Sequence, residues 1–292
     1  MIRRRKPRGW AVTAAATGWG ESTFAEMAWD KSRGAAMRWG LFGAVVGVLL
    51  AFVLFAPAAW LARAVSSASG EHLLLADARG TIWSGSAVAV LTGGPGSRDA
   101  SALPGRLEWT LVPAGLGLEL RLRQACCLNG SAVLAVRPGF GRVTLALKPG
   151  AEWIGQWPSA WLGGLGTPWN TLQMGGSVRL SSPGMAFESV QGRWRVVGRA
   201  DIDLLEVSSR LSTLDTLGSY RLTIAGDASG AAQLSLATQQ GTLQLSGSGS
   251  IAPTGVRFRG EARAGEGGEA ALANLLNIIG RRDGARSVIS IG

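Results

Sequence analysis

No charged residue occurs between Trp39 and Ala62, and this apolar segment constrains the chain more than any other feature of its sequence. A helix needs roughly 20 apolar residues to cross about 30 Å of hydrocarbon, so the segment is long enough to span a bilayer. We therefore predict one transmembrane helix over residues 39–62, since the sequence contains no second segment of this kind. The residues predicted to anchor it, with tryptophan near both ends as at a membrane interface, are Trp39, Leu41, Phe52, Phe55 and Trp60.

The charges that flank this helix predict its direction. Residues 1–38 contain eight basic and three acidic side chains, and the positive-inside rule keeps such a segment in the cytoplasm. Residues 63–292 are then exported, to the periplasm if the cell has two membranes. The predicted organisation is a basic cytoplasmic N-terminus over 1–38, a membrane helix over 39–62 and an exported domain over 63–292.

Two alternatives remain open in this region. Ala56-Pro57-Ala58 and Ala62-Arg63-Ala64 both fit the small-residue pattern of a signal-peptide cleavage site, and cleavage would release the domain from the membrane. The apolar segment is longer than the ~7–15 residues of a usual signal core, which favours a retained anchor. A start at Met37 instead of Met1 would shorten the cytoplasmic part to a stub.

Beyond Ser69-Gly70 the apolar residues alternate with polar ones, as they do in strands that bury one face. A leucine occupies every second position from Leu116 to Leu122, with glycine or a charged residue between. The same repeat recurs at Val143–Leu147, Val178–Leu180, Trp194–Val196, Leu234–Leu236, Leu243–Leu245 and Val256–Phe258. The turns predicted between strands are Gly93-Gly94-Pro95-Gly96, Pro149-Gly150, Pro183-Gly184 and Ala252-Pro253-Thr254-Gly255. This pattern predicts a mainly β fold with an antiparallel, curled sheet, either a half-barrel or a sandwich.

Two short helices are predicted to interrupt the strands. Glu269–Ile279 is rich in helix formers and is followed by Gly280. Residues 152–165 carry three tryptophans at a four-residue spacing, which would place them on one helical face. A strand meander followed by a helix would then occur twice, over 71–167 and 168–280, which suggests a duplicated unit.

The exported part is rich in tryptophan, and two interpretations of these side chains remain open. They fill the core of a glycine-rich sheet, or they line a groove for lipid tails or an apolar peptide. Open edges of such a sheet would also accept a partner strand, which predicts β-augmentation as a way of binding. The tryptophans concerned are Trp83, Trp109, Trp153, Trp157, Trp161, Trp169 and Trp194.

The sequence offers little for catalysis or metal binding. Its single histidine, His72, and its two cysteines, Cys126 and Cys127, are fewer ligands than a zinc site usually uses. A histidine-dependent nucleophile would have to use His72, which lies in no recognisable motif. The net charge of +10 permits an anionic partner, but the arginines are spread along strands and are not massed with aromatic residues. We therefore predict that the protein is not an enzyme, has no cofactor or metal and does not bind nucleic acid.

The adjacent cysteines leave two alternatives for their redox state. Neighbouring Cα atoms lie about 3.8 Å apart across a trans peptide, below the roughly 4.4–6.8 Å usual for disulfides. Cys126 and Cys127 therefore stay unpaired or close a strained local ring.

Four segments of the sequence resemble those of a known family. They are Gly80-Thr81-Ile82-Trp83-Ser84-Gly85, Arg137-Pro138-Gly139-Phe140-Gly141-Arg142, Leu214 to Tyr220 and the terminal stretch from Leu275 to Gly292. Together with the membrane helix they resemble protein N of the bacterial type II secretion system, from about Trp39 to Gly292. The residues that carry the resemblance are Gly80, Thr81, Trp83, Ser84, Gly85, Arg137, Pro138, Gly139, Gly141, Arg142, Gly218, Tyr220, Leu275, Asn277, Gly280, Arg281, Arg282, Ser287, Ile289 and Gly292.

This resemblance implies an accessory inner-membrane subunit that supports the assembly or stability of an apparatus exporting folded proteins. It implies no catalytic residue, and its implied partners are the C, L and M proteins of the apparatus, the more distant secretin and the lipid bilayer. Gly43 and Gly47 have the spacing that lets two membrane helices approach closely, so self-association through them is a further option. Folds of this kind are also similar to AsmA-type envelope proteins, curled sheets with an apolar trough. That likeness keeps open the alternative of a periplasmic lipid-binding or lipid-transfer protein.

Overall fold

The fold is described by a computed structural model over residues 19–150, 152–190, 193–226, 230–252 and 255–292. The predicted basic cluster at residues 3–8 and the centre of the predicted turn at 253–254 lie outside these ranges. The chain divides into two compact units, a first that ends at Leu54 and a second over Phe55–Gly292.

The first unit contains one long helix, α1 (Trp19–Leu54). Its part over Met37–Leu54 is long and apolar enough to cross a membrane, by length and composition. The side chains of Trp39, Leu41 and Phe52 are exposed along it, as expected of residues that face lipid.

The helix ends earlier than the predicted span over 39–62. Pro57 accounts for the break, because proline lacks an N–H and disfavours helical backbone at the residue before it. A second helix, α2 (Ala58–Ala68), begins directly after Pro57 and contains Trp60. Ala58 is buried against the sheet, so this part of the predicted span belongs to the second unit.

The second unit contains, within the described residues, sixteen strands in one antiparallel sheet. The strands are β1 (Leu73–Gly80), β2 (Ser84–Thr92), β3 (Ala100–Ala102), β4 (Leu107–Ala114), β5 (Gly117–Arg123), β6 (Ala132–Gly139), β7 (Arg142–Leu147), β8 (Gly155–Pro158), β9 (Met174–Val190), β10 (Arg193–Ser209), β11 (Gly218–Gly226), β12 (Ala232–Gly241), β13 (Leu243–Ala252), β14 (Gly255–Ala264), β15 (Arg281–Asp283) and β16 (Arg286–Ile291). A 3₁₀-helix (Ser159–Leu165) and the short helix α3 (Trp169–Leu172) precede β9, and α4 (Glu269–Ile279) follows β14.

Nearly every strand pairs with its neighbour in sequence. The order across the sheet is β1-β2-β4-β5-β6-β7-β9-β10-β11-β12-β13-β14-β16-β15, with β3 paired to β2 and β8 paired to β9. The sheet is open, because β1 and β15 form its two ends. The predicted mainly β, antiparallel fold is confirmed, as is the helix over Glu269–Ile279. β7 pairs with β9, so one continuous sheet crosses the boundary at residues 167 and 168.

One sequence-based prediction was wrong locally, and another was correct only in part. Pro183-Gly184 does not reverse the chain but lies inside β9, where two residues of β9 stand opposite Ala200 of β10. The hydroxyl of Ser182 replaces the lost ladder bond by donating to the carbonyl oxygen of Arg199 at 2.5 Å, and the N–H of Gly184 donates to that hydroxyl at 3.1 Å. A bulge therefore accommodates a proline that cannot donate in a strand.

The helix predicted over residues 152–165 is present only in part. The structure has the strand β8 there, followed by the 3₁₀-helix, because Gly155 and Pro158 interrupt any longer helix. The rings of Trp157 and Trp161 still stack, with centroids 6.5 Å apart, although they belong to different elements.

Three of the described tryptophans, Trp109, Trp157 and Trp161, pack in the core. Trp109 of β4 is buried in a cluster with Ala58 and Ala87 and donates its indole N–H to the carbonyl oxygen of Thr81 at 3.2 Å. Trp157 and Trp161 pack beside Cys127, which forms a disulfide with Cys126. The structure thus shows the local ring and not two free thiols.

Candidate functional site

An apolar groove lies over one face of the sheet in its C-terminal half. Its cavity has a volume of about 450 Å³, within the roughly 300–1,000 Å³ typical of ligand pockets. The predicted alternation places most of the lining on one face of β10 to β14 and β16, with Met174 added from the start of β9, since every second residue of a strand points the same way. The strand residues that line it are Met174, Leu204, Val207, Ser209, Tyr220, Leu222, Leu234, Leu236, Leu243, Leu245, Val256, Phe258, Ile289 and Ile291.

Helix α4 forms the wall of the groove opposite the strands. Leu272, Leu275 and Leu276 are almost fully buried, and Leu275 also lines the cavity. The hydroxyl of Ser287 in β16 donates to the carbonyl oxygen of Leu276 at 2.5 Å, which holds the end of the helix on the sheet. A Cβ at Gly280 would lie 2.6 Å from the carbonyl oxygen of Val288, so glycine allows this close return of the chain.

Two hydroxyl groups in the groove wall are hydrogen-bonded within the protein. The Tyr220 hydroxyl donates to the carbonyl oxygen of Leu243 at 3.0 Å, and burial raises the pKa of this phenol. The Ser209 hydroxyl donates to the carbonyl oxygen of Leu172 at 2.6 Å. The groove therefore offers a largely apolar surface, which suits a hydrocarbon.

A second cavity, of about 790 Å³ and polar in character, adjoins the groove. Trp169, Met174 and Ser209 line both cavities. The charged and amide side chains of the polar cavity are Arg98, Asp99, Asn170, Gln173, Arg210 and Asp215. The amide of Asn170 donates to Asp99 at 3.0 Å, which ties helix α3 to the loop between β2 and β3.

The opposite face of the same strands carries ion pairs. Arg221 binds Asp203 with two hydrogen bonds, at 2.6 and 3.1 Å, and Asp203 is only 7% exposed. This hydrogen-bonded pairing raises the pKa of Arg221. Burial opposes ionisation of Asp201, but hydrogen bonds from Arg199 and Thr223 outweigh it and lower the pKa of that carboxyl. These carboxylates stabilise the strands and do not form an acid–base pair.

Replacing Arg221 by methionine is expected to lower the free energy of unfolding by about 1–3 kcal/mol, because it leaves the buried Asp203 carboxylate without its partner. Arg263 is a matched control, since its pair with Glu261 on the neighbouring part of the sheet is solvent-exposed. Its replacement by methionine is expected to change stability by less than about 1 kcal/mol. Thermal unfolding of both variants measures the difference, and equal effects would contradict this account.

The first family-like segment, Gly80 to Gly85, forms the turn between β1 and β2. The Thr81 hydroxyl accepts hydrogen bonds from the N–H groups of Trp83 and Ser84, both at 3.2 Å. The N–H of Ile82 donates to the carbonyl oxygen of Ala56 at 2.9 Å, so the turn fixes the chain where it enters the second unit. These hydrogen bonds give the segment a structural role at this turn.

The other family-like residues fall in three places. Arg137 to Arg142 form the exposed tip of the β6–β7 hairpin, and Gly218 and Tyr220 begin β11 beside the groove. Leu275, Gly280, Ser287 and Ile289 build the groove wall, whereas Asn277, Arg281, Arg282 and Gly292 are exposed. Among the residues that the structure describes, no group of three or more histidine, cysteine, aspartate or glutamate side chains could hold a metal ion. The ring of His72 lies 3.1 Å from the carbonyl oxygen of Thr92.

The sequence did not predict the polar cavity. Arg98 and Arg210 come from loops far apart in the chain, and neither lies in a motif or a periodic pattern. Only the long-range pairing of strands brings them to one cavity, so no local signal could have found it.

By its fold and its candidate site, the protein is of the open antiparallel β-sheet class. It has an apolar groove and an N-terminal helix suited to membrane anchoring. A family model described as type II secretion system (T2SS), protein N, matches residues 71–289. The match covers most of the chain, and the protein belongs to this family. No curated protein and no solved structure shows significant similarity to the chain.

Proposed function

We propose that the protein is an accessory, non-enzymatic subunit of the type II secretion apparatus, anchored in the bacterial inner membrane by α1 with its β unit in the periplasm. The family match over residues 71–289 carries this proposal, because it covers nearly the whole β unit. The cluster of basic residues before the apolar span supports an N-terminus in the cytoplasm. The apolar lining of the groove supports a binding role.

The proposed partners are the inner-membrane C, L and M proteins of the apparatus, with β1 as the docking edge. β1 is eight residues long and pairs with β2 along one of its edges. Within the described part of the chain, its other edge pairs with no strand. Helix α2 lies beside β1 and packs through Ala58 and Leu61 on the core that Ala87 and Trp109 form. At the other end of the sheet β15 has only three residues, which gives a partner strand less backbone to pair with.

Deleting the gene is expected to reduce secretion of exported proteins and the amount of assembled apparatus. Complementation with the full chain should restore both. A variant whose residues 39–54 are replaced by an unrelated apolar span should also restore them, because the β unit makes the proposed contacts. Unchanged secretion and unchanged assembly in the deletion strain would refute the proposal.

A second candidate function is binding of a phospholipid, and the paired cavities favour it. The apolar groove suits an acyl chain, and the adjoining polar cavity suits a headgroup. Arg98 and Arg210 would face a phosphate, whereas Asp99 and Asp215 would face a cationic amine. This pattern of charges matches a zwitterionic headgroup next to hydrocarbon.

Substitution of Leu236 by tryptophan is expected to fill the groove and lower the phospholipid that co-purifies with the full chain. Ala237 is a matched control, because it follows Leu236 in β12 and is exposed on the opposite face. Its replacement by tryptophan should leave bound lipid unchanged. Mass spectrometry of lipid extracts gives the measurement, and equal lipid content in both variants and the parent would refute this function.

A further inference from the structure

One end of the β-sheet carries several exposed apolar side chains. The β4–β5 turn ends in Leu116, which is 97% exposed, and the β6–β7 turn ends in Phe140, which is fully exposed at 110% of its reference area. Leu118 of β5 pairs with Val136 of β6, so the two turns lie side by side at the same end of the sheet. Two fully exposed large apolar side chains at neighbouring tips are unusual for a surface in contact with water alone.

The charged side chains at these two turns are all basic. Arg137 and Arg142 flank the Phe140 tip, and the segments 114–117 and 137–142 contain no acidic residue. Within the described part of the chain neither arginine forms an ion pair. An apolar side chain between cationic ones is the pattern that binds the interface of a membrane with anionic lipids.

The same end of the sheet receives the chain from the apolar helix. The β1–β2 turn lies at this end, and it holds Ala56 and Pro57 through the Ile82 hydrogen bond and the bridge between Pro57 and Thr81. Leu54 is the last residue of the candidate membrane span. Ala56 is two residues further on, and two residues extend by at most roughly 7 Å. The chain therefore leaves the span within a short distance of this end.

We propose that this end of the sheet, with Leu116 and Phe140 at its tips, docks onto the anionic bilayer in which the protein is anchored. The proposal rests on the proposed anchoring of α1 and adds a second, peripheral membrane contact. Leu116 and Phe140 enter the boundary between headgroups and acyl chains, and Arg137 and Arg142 bind lipid phosphates.

Spin labels on the full chain test this contact. The native cysteines are joined in the Cys126–Cys127 disulfide, so an introduced cysteine is labelled selectively. Gly139→Cys places a label beside Phe140, where an added Cβ meets nothing closer than 3.6 Å. Thr213→Cys is the control, since it lies in the loop between β10 and β11 at the opposite end of the sheet. Val48→Cys reports separately on the membrane span.

The label at residue 139 is expected to be shielded from a water-soluble nickel chelate and open to oxygen in nanodiscs that contain phosphatidylglycerol. The label at 213 should remain open to the chelate, and shielding at 139 should weaken in pure phosphatidylcholine. Adding Leu116→Ser and Phe140→Ser should lower the ratio of docked to undocked protein roughly tenfold or more.

Equal chelate access at 139 and 213, with the label at 48 in lipid, would overturn the docking while leaving the anchor intact. A label at 48 that is open to the chelate would instead contradict the anchoring on which the docking rests. Shielding at 139 in detergent as well as in nanodiscs would mean that a second copy covers the tips, and it would also overturn the proposal. Shielding that is equal in both lipids would overturn the role given to the arginines.

Discussion

Replacing Leu272 by alanine is expected to lower the free energy of unfolding by about 2–5 kcal/mol. Leu272 is fully buried where α4 packs on β11, β13 and β14, and its removal leaves a cavity that the rigid strands cannot fill. Because α4 also forms a wall of the groove, the variant should lose the groove as it loses stability. Thermal unfolding of the full chain in detergent, followed by circular dichroism, gives the measurement.

Asn274 provides the control for this prediction. It lies on the same helix and is exposed, so its replacement by alanine should change stability by no more than about 0.5 kcal/mol. If Leu272→Ala were as stable as Asn274→Ala, α4 would not be part of the core that this structure shows.

Replacing Gly80 by alanine is expected to destabilise the protein by about 2–4 kcal/mol through two separate effects. Gly80 has φ of +91°, a conformation that costs an L-residue roughly 1–2 kcal/mol. A Cβ there would also lie 2.5 Å from the carbonyl oxygen of Ser84 and 2.9 Å from the Cα of Gly85. Both atoms belong to the backbone of the turn that fixes Ala56, so the clash has no flexible side chain to relieve it.

Gly105 separates these two effects. Its φ of +81° is similar, but a Cβ there would meet nothing within 4 Å. Gly105→Ala should therefore show the conformational cost alone, about 1–2 kcal/mol. Equal losses in the two variants, measured by thermal unfolding, would show that the turn relaxes around the added methyl group.

Strand alternation and helix chemistry predicted much of this fold correctly. The rows at Leu234–Leu236, Leu243–Leu245 and Val256–Phe258 all line the groove, because a period of two places them on one face. Glu269–Ile279 forms a helix with the predicted bounds, since its helix formers end at a glycine.

The failures share a physical cause. Pro183-Gly184 has the composition of a turn, but pairing with β7 on one side and β10 on the other keeps β9 extended through a bulge. Residues 152–165 have a helical spacing of tryptophan, yet Gly155 and Gln156 pair with β9 instead. Tertiary strand pairing therefore overrides local preference at both sites, and the polar cavity arises from the same long-range pairing.

The family-like residues of the first and last segments have defined positions in the fold. Those of the first segment join the sheet to the chain that arrives from the helix, and those of the last segment close the groove with α4. This distribution fits a protein whose parts are built for anchoring and binding.

Photo-crosslinking in living cells tests the central claim most directly. A photo-reactive residue at Ala76, on β1, should capture inner-membrane proteins of the secretion apparatus when the full chain is produced at its natural level. The same residue at Gln244, exposed on the face of β13 away from the groove, serves as the control and should capture much less. Capture of apparatus proteins from position 76 is the result we predict. If position 76 captured no protein of the apparatus in a strain that actively secretes, the proposed docking through β1 would be contradicted.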